Sequence, residues 1–318
     1  MKIVILERDS VGHDVAMDCF AQLGDVVCYG NTTTVEEVRQ RIADADAVIA
    51  NKAPLSREAL ETAENLKFIG ILATGYDNCD LGFCRERGIR VTNVRNYSTA
   101  MVAQHTITLA LAVSQKIVHY DHYVKSGAYS AQSSFSNFSE AFCELEGKTW
   151  GIVGMGNIGS RVAKIAAALG CRVITHSLTG RKGGEYESVD KQTLLEQSDI
   201  LSLHCPLTDL SRDFIDAQAL KRMKKSAVLV NVARGPVVNN RDLYEALVAG
   251  EIAGAGLDVM EKEPLEPSNP LSRISDSKKL IITPHLAWAS VEARTRCVEG
   301  IYLNLKAFLA GEERNVLC

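Results

Sequence analysis

The stretch Gly154-Met155-Gly156-Asn157-Ile158-Gly159 follows a short apolar run, Trp150 to Val153, and opens a helical pattern from Ile158 to Leu169. A strand, a Gly-x-Gly-x-x-Gly turn and a helix in that order form the context in which this spacing marks a dinucleotide site. The glycines permit a tight turn and bring a pyrophosphate close to free N–H groups at a helix start, where the helix dipole favours negative charge. The hexapeptide alone also fits an ordinary strand-to-helix turn, so its flanks decide the matter. Apolar runs recur downstream at Arg172 to Thr175, Ile200 to Leu203, Ala227 to Asn231, Ala255 to Val259 and Leu280 to Thr283, with helical patterns between most of them. Together with Trp150 to Val153 these make six parallel strands, the complement of a complete dinucleotide-binding sheet.

An earlier alternating series precedes the glycine turn. Its strands are Ile3 to Leu6, Val26 to Tyr29, Ala47 to Ala50, Phe68 to Leu72 and Ile89 to Thr92, separated by helical patterns such as Thr34 to Ala43 and Ser56 to Glu64. Runs that are apolar on both faces indicate parallel sheets covered on both sides. Between the two series, one long helix is expected from Ser98 to about Lys125, closing near Gly127, followed by a surface loop over Tyr129 to Phe142. The last helix, about Ser290 to Leu309, has no strand of its own to cover and is expected to return to the first series. The chain has 318 residues, more than the about 250 to 300 at which single cores stop growing. Two domains are therefore expected, 1–98 with 286–318, and 99–285.

Bulk properties narrow the class. The chain is 46% hydrophobic and 23% charged with a formal net charge of −4, so nothing calls for nucleic acid or an anionic membrane as partner. The apolar start, Ile3 to Leu6, meets Glu7, Arg8 and Asp9 at once and reads as a buried strand rather than a signal peptide. No apolar run approaches the ~20 residues that span a bilayer. The nine cysteines are scattered, without a Cys-x-x-Cys pair or zinc-like histidine spacing. Reduced thiols, a cytoplasmic location and no metal are the expectation.

Polar residues cluster just after successive strands, at Asn231-Val232-Ala233-Arg234-Gly235, at Asp258-Val259-Met260-Glu261-Lys262-Glu263-Pro264 and at Thr283-Pro284-His285. Doubly wound sheets hold ligands at the carboxyl ends of their strands. An arginine, a carboxylate and a histidine there suggest a carboxylate clamp with an oriented general acid/base. Singly, Arg234 fits a surface ion pair, Glu263 a loop charge and His285 a buried core histidine; their joint placement argues against coincidence. Cofactor choice turns on Thr175-His176-Ser177-Leu178-Thr179-Gly180-Arg181-Lys182, where an acid for the ribose hydroxyls is the usual residue and none is present. Ser177 takes the acid's place and Arg181 and Lys182 follow, which suits a 2′-phosphate better than a 2′-hydroxyl. A solvated basic loop is the alternative.

These motifs in combination, together with Gly254-Ala255-Gly256-Leu257-Asp258-Val259 and Glu263-Pro264, resemble the D-isomer-specific 2-hydroxyacid dehydrogenase family over nearly the whole chain. The wording Ala73-Thr74-Gly75-Tyr76 and Thr283-Pro284-His285-Leu286-Ala287-Trp288-Ala289-Ser290 is most similar to its glycerate dehydrogenase/hydroxypyruvate reductase branch. The resemblance implies an α/β fold of two doubly wound parallel-sheet domains, a Rossmann dinucleotide-binding domain and a flavodoxin-like substrate-binding domain. It implies that Arg234 binds the substrate's carboxylate and carbonyl, that His285 exchanges the proton, and that Glu263 orients and polarises His285. Ala73, Thr74 and Gly75 would offer amides to the carboxylate. Lys52 would reach the substrate or stand as an exposed lysine, and Trp288 would line the pocket or subunit contact or pack in the core. Asp258 would lie near the nicotinamide, and His204, Pro206, Val232 and Ala233 complete the cofactor-binding set with the glycine turn.

The implied activity is hydride transfer between NADP or NAD, with NADP favoured, and a small 2-oxo/2-hydroxy acid, hydroxypyruvate or glyoxylate giving D-glycerate or glycolate. A phosphoglycerate or D-lactate dehydrogenase is the alternative within the family. The end at Cys318 without a regulatory extension, and Glu263 where formate dehydrogenases carry glutamine, disfavour the long phosphoglycerate enzymes and the formate enzymes respectively. A nucleotide-sensing binding protein of the same fold is the alternative outside enzymes, though no appended tail suggests it. A homodimer is expected, because Met101, Val102, Ile107, Leu109, Leu111, Val113 and Ile117 give the long helix more apolar surface than one domain contact needs.

Overall fold

The computed structural model describes residues 1–180 and 184–318. Arg181 and Lys182, named above for cofactor choice, lie outside the described residues. The chain divides into two compact units, Met1–Ser98 with Trp288–Cys318, and Thr99–Ala287.

The first unit is a five-stranded parallel sheet of β1 (Lys2–Ile5), β2 (Asp25–Cys28), β3 (Ala47–Ala50), β4 (Phe68–Ile71) and β5 (Arg90–Thr92), in the order β2-β1-β3-β4-β5. That is the flavodoxin-like order. Every residue of β3 and β4 is buried, as a sheet covered on both faces requires. The helix Val291–Leu309 packs on β4 through Gly70, where an added Cβ would stand 2.7 Å from Ile301 Cγ2. The C-terminal residues cover the β5 edge: Leu317 N donates to Val91 O at 2.8 Å and Val91 N donates to Cys318 O at 3.1 Å.

The second unit is a seven-stranded parallel sheet of β6 (Thr149–Val153), β7 (Arg172–His176), β8 (Glu187–Ser188), β9 (Ile200–Leu203), β10 (Val228–Asn231), β11 (Gly254–Leu257) and β12 (Leu280–Ile282). The order β12-β11-β10-β9-β6-β7-β8 is the dinucleotide-binding order with one strand added at the β12 edge. The chain reverses its direction of growth between β6 and β9, so the glycine turn after β6 stands at the switch point. All six expected strands are present. The seventh, β8, is two exposed residues, too short and too polar to register as an apolar run.

Two expectations about the connecting segment need correction. The single helix from Ser98 to Lys125 is two helices, Thr99–Ser114 and Ile117–Lys125, broken where Lys116 takes φ +55°. No glycine or proline marks that break in the sequence. The apolar residues assigned to a partner are mostly used within the unit: Val102, Ile107, Leu109 and Val113 are buried. Gly254 and Gly256 of β11 make this possible, since added Cβ atoms would meet Val113 Cγ1 at 2.6 Å and Leu109 Cβ at 2.9 Å. The exposed apolar surface lies further on, at Ile117, Val118, Val124, Phe135, Phe138 and Phe142. Within the expected loop, Ala128–Ala131 forms one short helix. Among the described residues, no helix is long and apolar enough to cross a membrane and no acid, histidine or cysteine cluster could hold a metal.

Candidate active site

The glycine turn has the form that a pyrophosphate needs. Gly154 takes φ +93°, and an added Cβ would stand 2.9 Å from the backbone of His204 and Cys205. Gly159 packs so closely that its Cβ would come 2.1 Å from Gly154 O, whereas a Cβ on Gly156 would meet nothing within 4 Å. Gly156 is also the N-cap of the helix Asn157–Ala168, and no side chain caps it. An open helix start beside a bare glycine fits a dinucleotide's phosphates. Met155 and Ile158 are half-buried against the core beneath the turn.

The other cofactor residues sit at neighbouring strand ends. Ser177 follows β7, its hydroxyl 3.4 Å from that of Thr179. Val232 and Ala233 are buried after β10, and Pro206 is exposed after β9. His204 Nε2 lies 3.0 Å from Ser202 Oγ, which accepts from Trp150 Nε1 at 2.9 Å. Its shielded Nδ1 has no partner among the described residues. Burial pushes the imidazole down to about 3, so the ring is neutral at ordinary pH.

Asp258 organises the carboxyl end of the sheet at β11 and β12. Leu257 is paired with Ile282 in the β11–β12 register, so Asp258 and Thr283 leave their strands side by side. Asp258 then takes three consecutive amides: its carbonyl accepts from His285 N at 2.9 Å, Oδ1 from Leu286 N at 2.7 Å and Oδ2 from Ala287 N at 2.8 Å. Thr283 Oγ1 donates to Oδ1 at 2.6 Å. Burial alone would raise the carboxyl, but the hydrogen bonds from His105, Thr283, Ala287 and Leu286 outweigh it and hold Asp258 below the ordinary carboxylate range. The side chain is fully buried, so it acts on the surface through the 285–287 turn that it holds.

That turn presents His285 at φ +55°, a left-handed conformation uncommon outside glycine. Its Nδ1 lies 2.7 Å from Glu263 Oε2, and Glu263 Oε1 accepts from Met260 N at 3.0 Å. The imidazole is therefore oriented from one side, with Nε2 as the nitrogen left to exchange a proton. About a third of each side chain is exposed, which leaves the pair reachable.

Arg234 is fixed by a second turn. Buried Asn231 accepts from Ala233 N at 3.0 Å and donates from Nδ2 to Arg234 O at 3.0 Å, while Arg234 Nη1 donates to Ala233 O at 2.9 Å. Gly235 permits this turn to lie on the backbone before Glu263, since a Cβ there would stand 1.9 Å from Met260. The structure thus joins Glu263 to His285 directly and sets the Arg234 turn against Met260.

The remaining expected residues lie in the first unit. Glu7, buried just beyond β1, accepts at Oε2 from Asn51 N, Lys52 N and Ala53 N at 2.7 to 2.8 Å. This holds the turn that presents exposed Lys52. Ala73 and Thr74 follow β4, with Thr74 Oγ1 donating to Val94 O at 2.9 Å and Asn93 Nδ2 to Thr74 O at 2.7 Å. Gly75 comes next on the same loop. Trp288 is half-buried, edge-on to Tyr97. Sequence reasoning missed Glu7 and His105; a lone acid ending an apolar run was the signal for Glu7, whereas His105 gave none.

Residues 107–287 match the family described as D-isomer specific 2-hydroxyacid dehydrogenase, NAD binding domain. The chain is 38% identical to the hydroxypyruvate reductase of Blautia hydrogenotrophica, covering 100% of this chain and 99% of that one. It is 37% identical to the glycerate dehydrogenase of Methylorubrum extorquens, covering 99% and 98%. The crystal structure of the TT0316 protein from Thermus thermophilus superposes with a TM-score of 0.91 at 33% identity over 100% of both chains.

Asp258 held as an anion in the fold stabilises it above the ordinary carboxylate range of about 4, and that contribution is lost as pH falls through the lower folded-state value. Asp258→Asn places an amide where two backbone donors converge and should lower stability at pH 7 by about 3 kcal/mol, the upper end for hydrogen bonds to a charge. Urea unfolding from pH 7 to pH 3 should show the gap from wild type closing on acidification. A gap that does not change with pH would mean that Asp258 is not buried as an anion.

Proposed function

The chain belongs to the D-isomer specific 2-hydroxyacid dehydrogenases, and we propose that it reduces a short 2-oxo acid of the hydroxypyruvate and glyoxylate kind to D-glycerate or glycolate, using Arg234, Glu263 and His285. As a member of that family it is an NAD(P)-dependent oxidoreductase acting between 2-oxo and 2-hydroxy acids. The observation that carries the residue assignment is the 2.7 Å contact of His285 Nδ1 with Glu263, at the carboxyl end of the sheet whose glycine turn fits a dinucleotide.

A reduced nicotinamide, when bound, supplies the hydride that reaches C2 of the acid. Protonated His285 donates from Nε2 to the carbonyl oxygen, and Glu263 stabilises the charged ring until it does so. Arg234 holds the carboxylate and stabilises charge developing on the same oxygen. The glycine turn with Met155, Asn157 and Ile158, and with Ser177, His204, Pro206, Val232 and Ala233, is assigned to the dinucleotide. Lys52, Ala73, Thr74, Gly75 and Trp288 are assigned to the acid.

NADPH is the proposed preferred cofactor. With Ser177 after β7, no acid repels a 2′-phosphate there. One good hydrogen bond to that charge is worth about 1.5 to 3 kcal/mol, or roughly tenfold to hundredfold in affinity. The governing test is kcat/KM for hydroxypyruvate, glyoxylate, pyruvate and phosphohydroxypyruvate with each reduced cofactor. Higher values for pyruvate or phosphohydroxypyruvate would sink the substrate assignment, and a ratio favouring NADH would sink the cofactor assignment.

Reduction needs the proton on His285, and the Glu263 carboxylate orients the ring and offsets its charge. Glu263→Gln keeps the shape and removes the charge, so kcat for reduction should fall roughly tenfold to hundredfold, the worth of one hydrogen bond between charged groups, with the NADPH dissociation constant little changed. An unchanged kcat removes Glu263 from this role.

A homodimer is proposed, now on the exposed surface after Lys116 rather than on the buried helix before it. The helix Ile117–Lys125 has no buried residue, and Phe135 and Phe138 are each 86% exposed, an apolar patch suited to a partner. Light scattering at micromolar concentration should give twice the 34.6 kDa chain mass, and a monomer would overturn the proposal. A cytoplasmic location is proposed too, supported by nine free cysteines and open to a fractionation test.

A further inference from the structure

His105 has no part in the assignments above, yet it reaches the centre of the catalytic end. It stands on the helix Thr99–Ser114 with its side chain 13% exposed, Nε2 lying 2.9 Å from Thr283 Oγ1 and 3.4 Å from Asp258 Oδ1. The direction of these bonds follows from the groups. A carboxylate can only accept, so the Thr283 hydroxyl hydrogen goes to Asp258 at 2.6 Å. Thr283 Oγ1 must then accept from His105, which places the ring hydrogen on Nε2.

Without His105 and Thr283, the Asp258 carboxylate would, among the described residues, be held only by the Leu286 and Ala287 amides that it is meant to hold. Carboxylate and turn could then shift together, and His285 would be free to leave φ +55°. The side donors fix the carboxylate from a different element, the helix Thr99–Ser114, which is anchored on β11 through Gly254 and Gly256. A chain of hydrogen bonds in a shielded site also strengthens its members.

We propose that His105 is a positioning residue for proton transfer, acting through Thr283 and Asp258 to fix the turn that presents His285. This rests on the reading of His285 as the proton donor. A histidine that served only the packing of the core would change stability and cofactor binding, with no selective effect on the proton-transfer step. Proton transfer is the step that a small displacement of His285 would slow.

The experiment compares His105→Phe, His105→Gln, Thr283→Val, the His105→Phe/Thr283→Val double variant and His285→Ala. For each, kcat, KM for hydroxypyruvate, the NADPH dissociation constant and the solvent deuterium isotope effect on kcat are measured. His105→Phe should lower kcat by about 10- to 100-fold, the effect of misplacing a reacting group, with a larger isotope effect and an unchanged NADPH dissociation constant. His105→Gln, which can donate from the same place, should regain most of the loss. Near-isosteric Thr283→Val should copy His105→Phe, and the double variant should be no worse than the poorer single, because both break one chain. Should His105→Phe fail to fold, Thr283→Val and His105→Gln carry the comparison. Wild-type kcat in Thr283→Val, multiplying losses in the double variant, or a parallel loss of NADPH binding would overturn the proposal while an inactive His285→Ala upholds the acid itself. Full turnover by His285→Ala would overturn both.

Discussion

The burial of a charged carboxylate among backbone amides sets the geometry of the catalytic end. A buried carboxylate is costly unless donors replace its lost hydration, and Asp258 has Leu286 N, Ala287 N, Thr283 Oγ1 and His105 Nε2 around it. The same constraint works in both directions. The anion needs those amides, and the turn needs the anion, because a left-handed histidine costs about 1 to 3 kcal/mol and persists only where its surroundings over-determine it. Parallel pairing of β11 with β12 supplies the framework, since it brings Asp258 and Thr283 out of the sheet at one level. His285 is thus placed by its neighbours' hydrogen bonds before any substrate contact is made.

Close backbone approach is the second requirement, and glycine meets it at a few positions only. Gly235 allows the Arg234 turn to lie on Met260, three residues before Glu263. A side chain there would push apart the Arg234 turn and the carboxylate that orients the histidine. Gly254 and Gly256 let the helix Thr99–Ser114 settle on β11, which is how His105 comes within reach of Thr283. Packing distance and catalytic geometry are therefore the same problem in this unit.

The sequence made both sheets legible because buried parallel strands read as apolar runs, and the glycine turn located the switch point. Arg234, Glu263 and His285 were legible as polar residues at strand ends. What failed had particular causes. The break at Lys116 rests on one residue's backbone conformation and has no compositional sign, so helical periodicity ran through it. Apolar residues of the helix Thr99–Ser114 were credited to a partner because the glycines that let a sheet consume them lie about 150 residues away. The place of Asp258 was clear from its motif, whereas its partners were not: hydrogen bonds from Leu286, Ala287, Thr283 and His105 join segments that are remote in sequence. His105 in an apolar helix looks like any core histidine until the contact is drawn.

The two units solve the presentation of a loop in one way. In the first unit Glu7 lies just beyond β1 and its carboxylate takes the amides of residues 51–53, which follow β3, the strand paired with β1. In the second, Asp258 follows β11 and takes the amides of 286 and 287, beyond β12, the strand paired with β11. Each acid stands at the carboxyl end of a parallel strand, where chains leave the sheet with their N–H groups unpaired by the ladder. A carboxylate there satisfies several amides at once and fixes the backbone from which a polar side chain projects, that of Lys52 in one unit and of His285 in the other. The residue that sets the geometry is therefore a buried acid one strand away from the residue it presents, which is why a motif centred on the presented side chain conveys only half of the device.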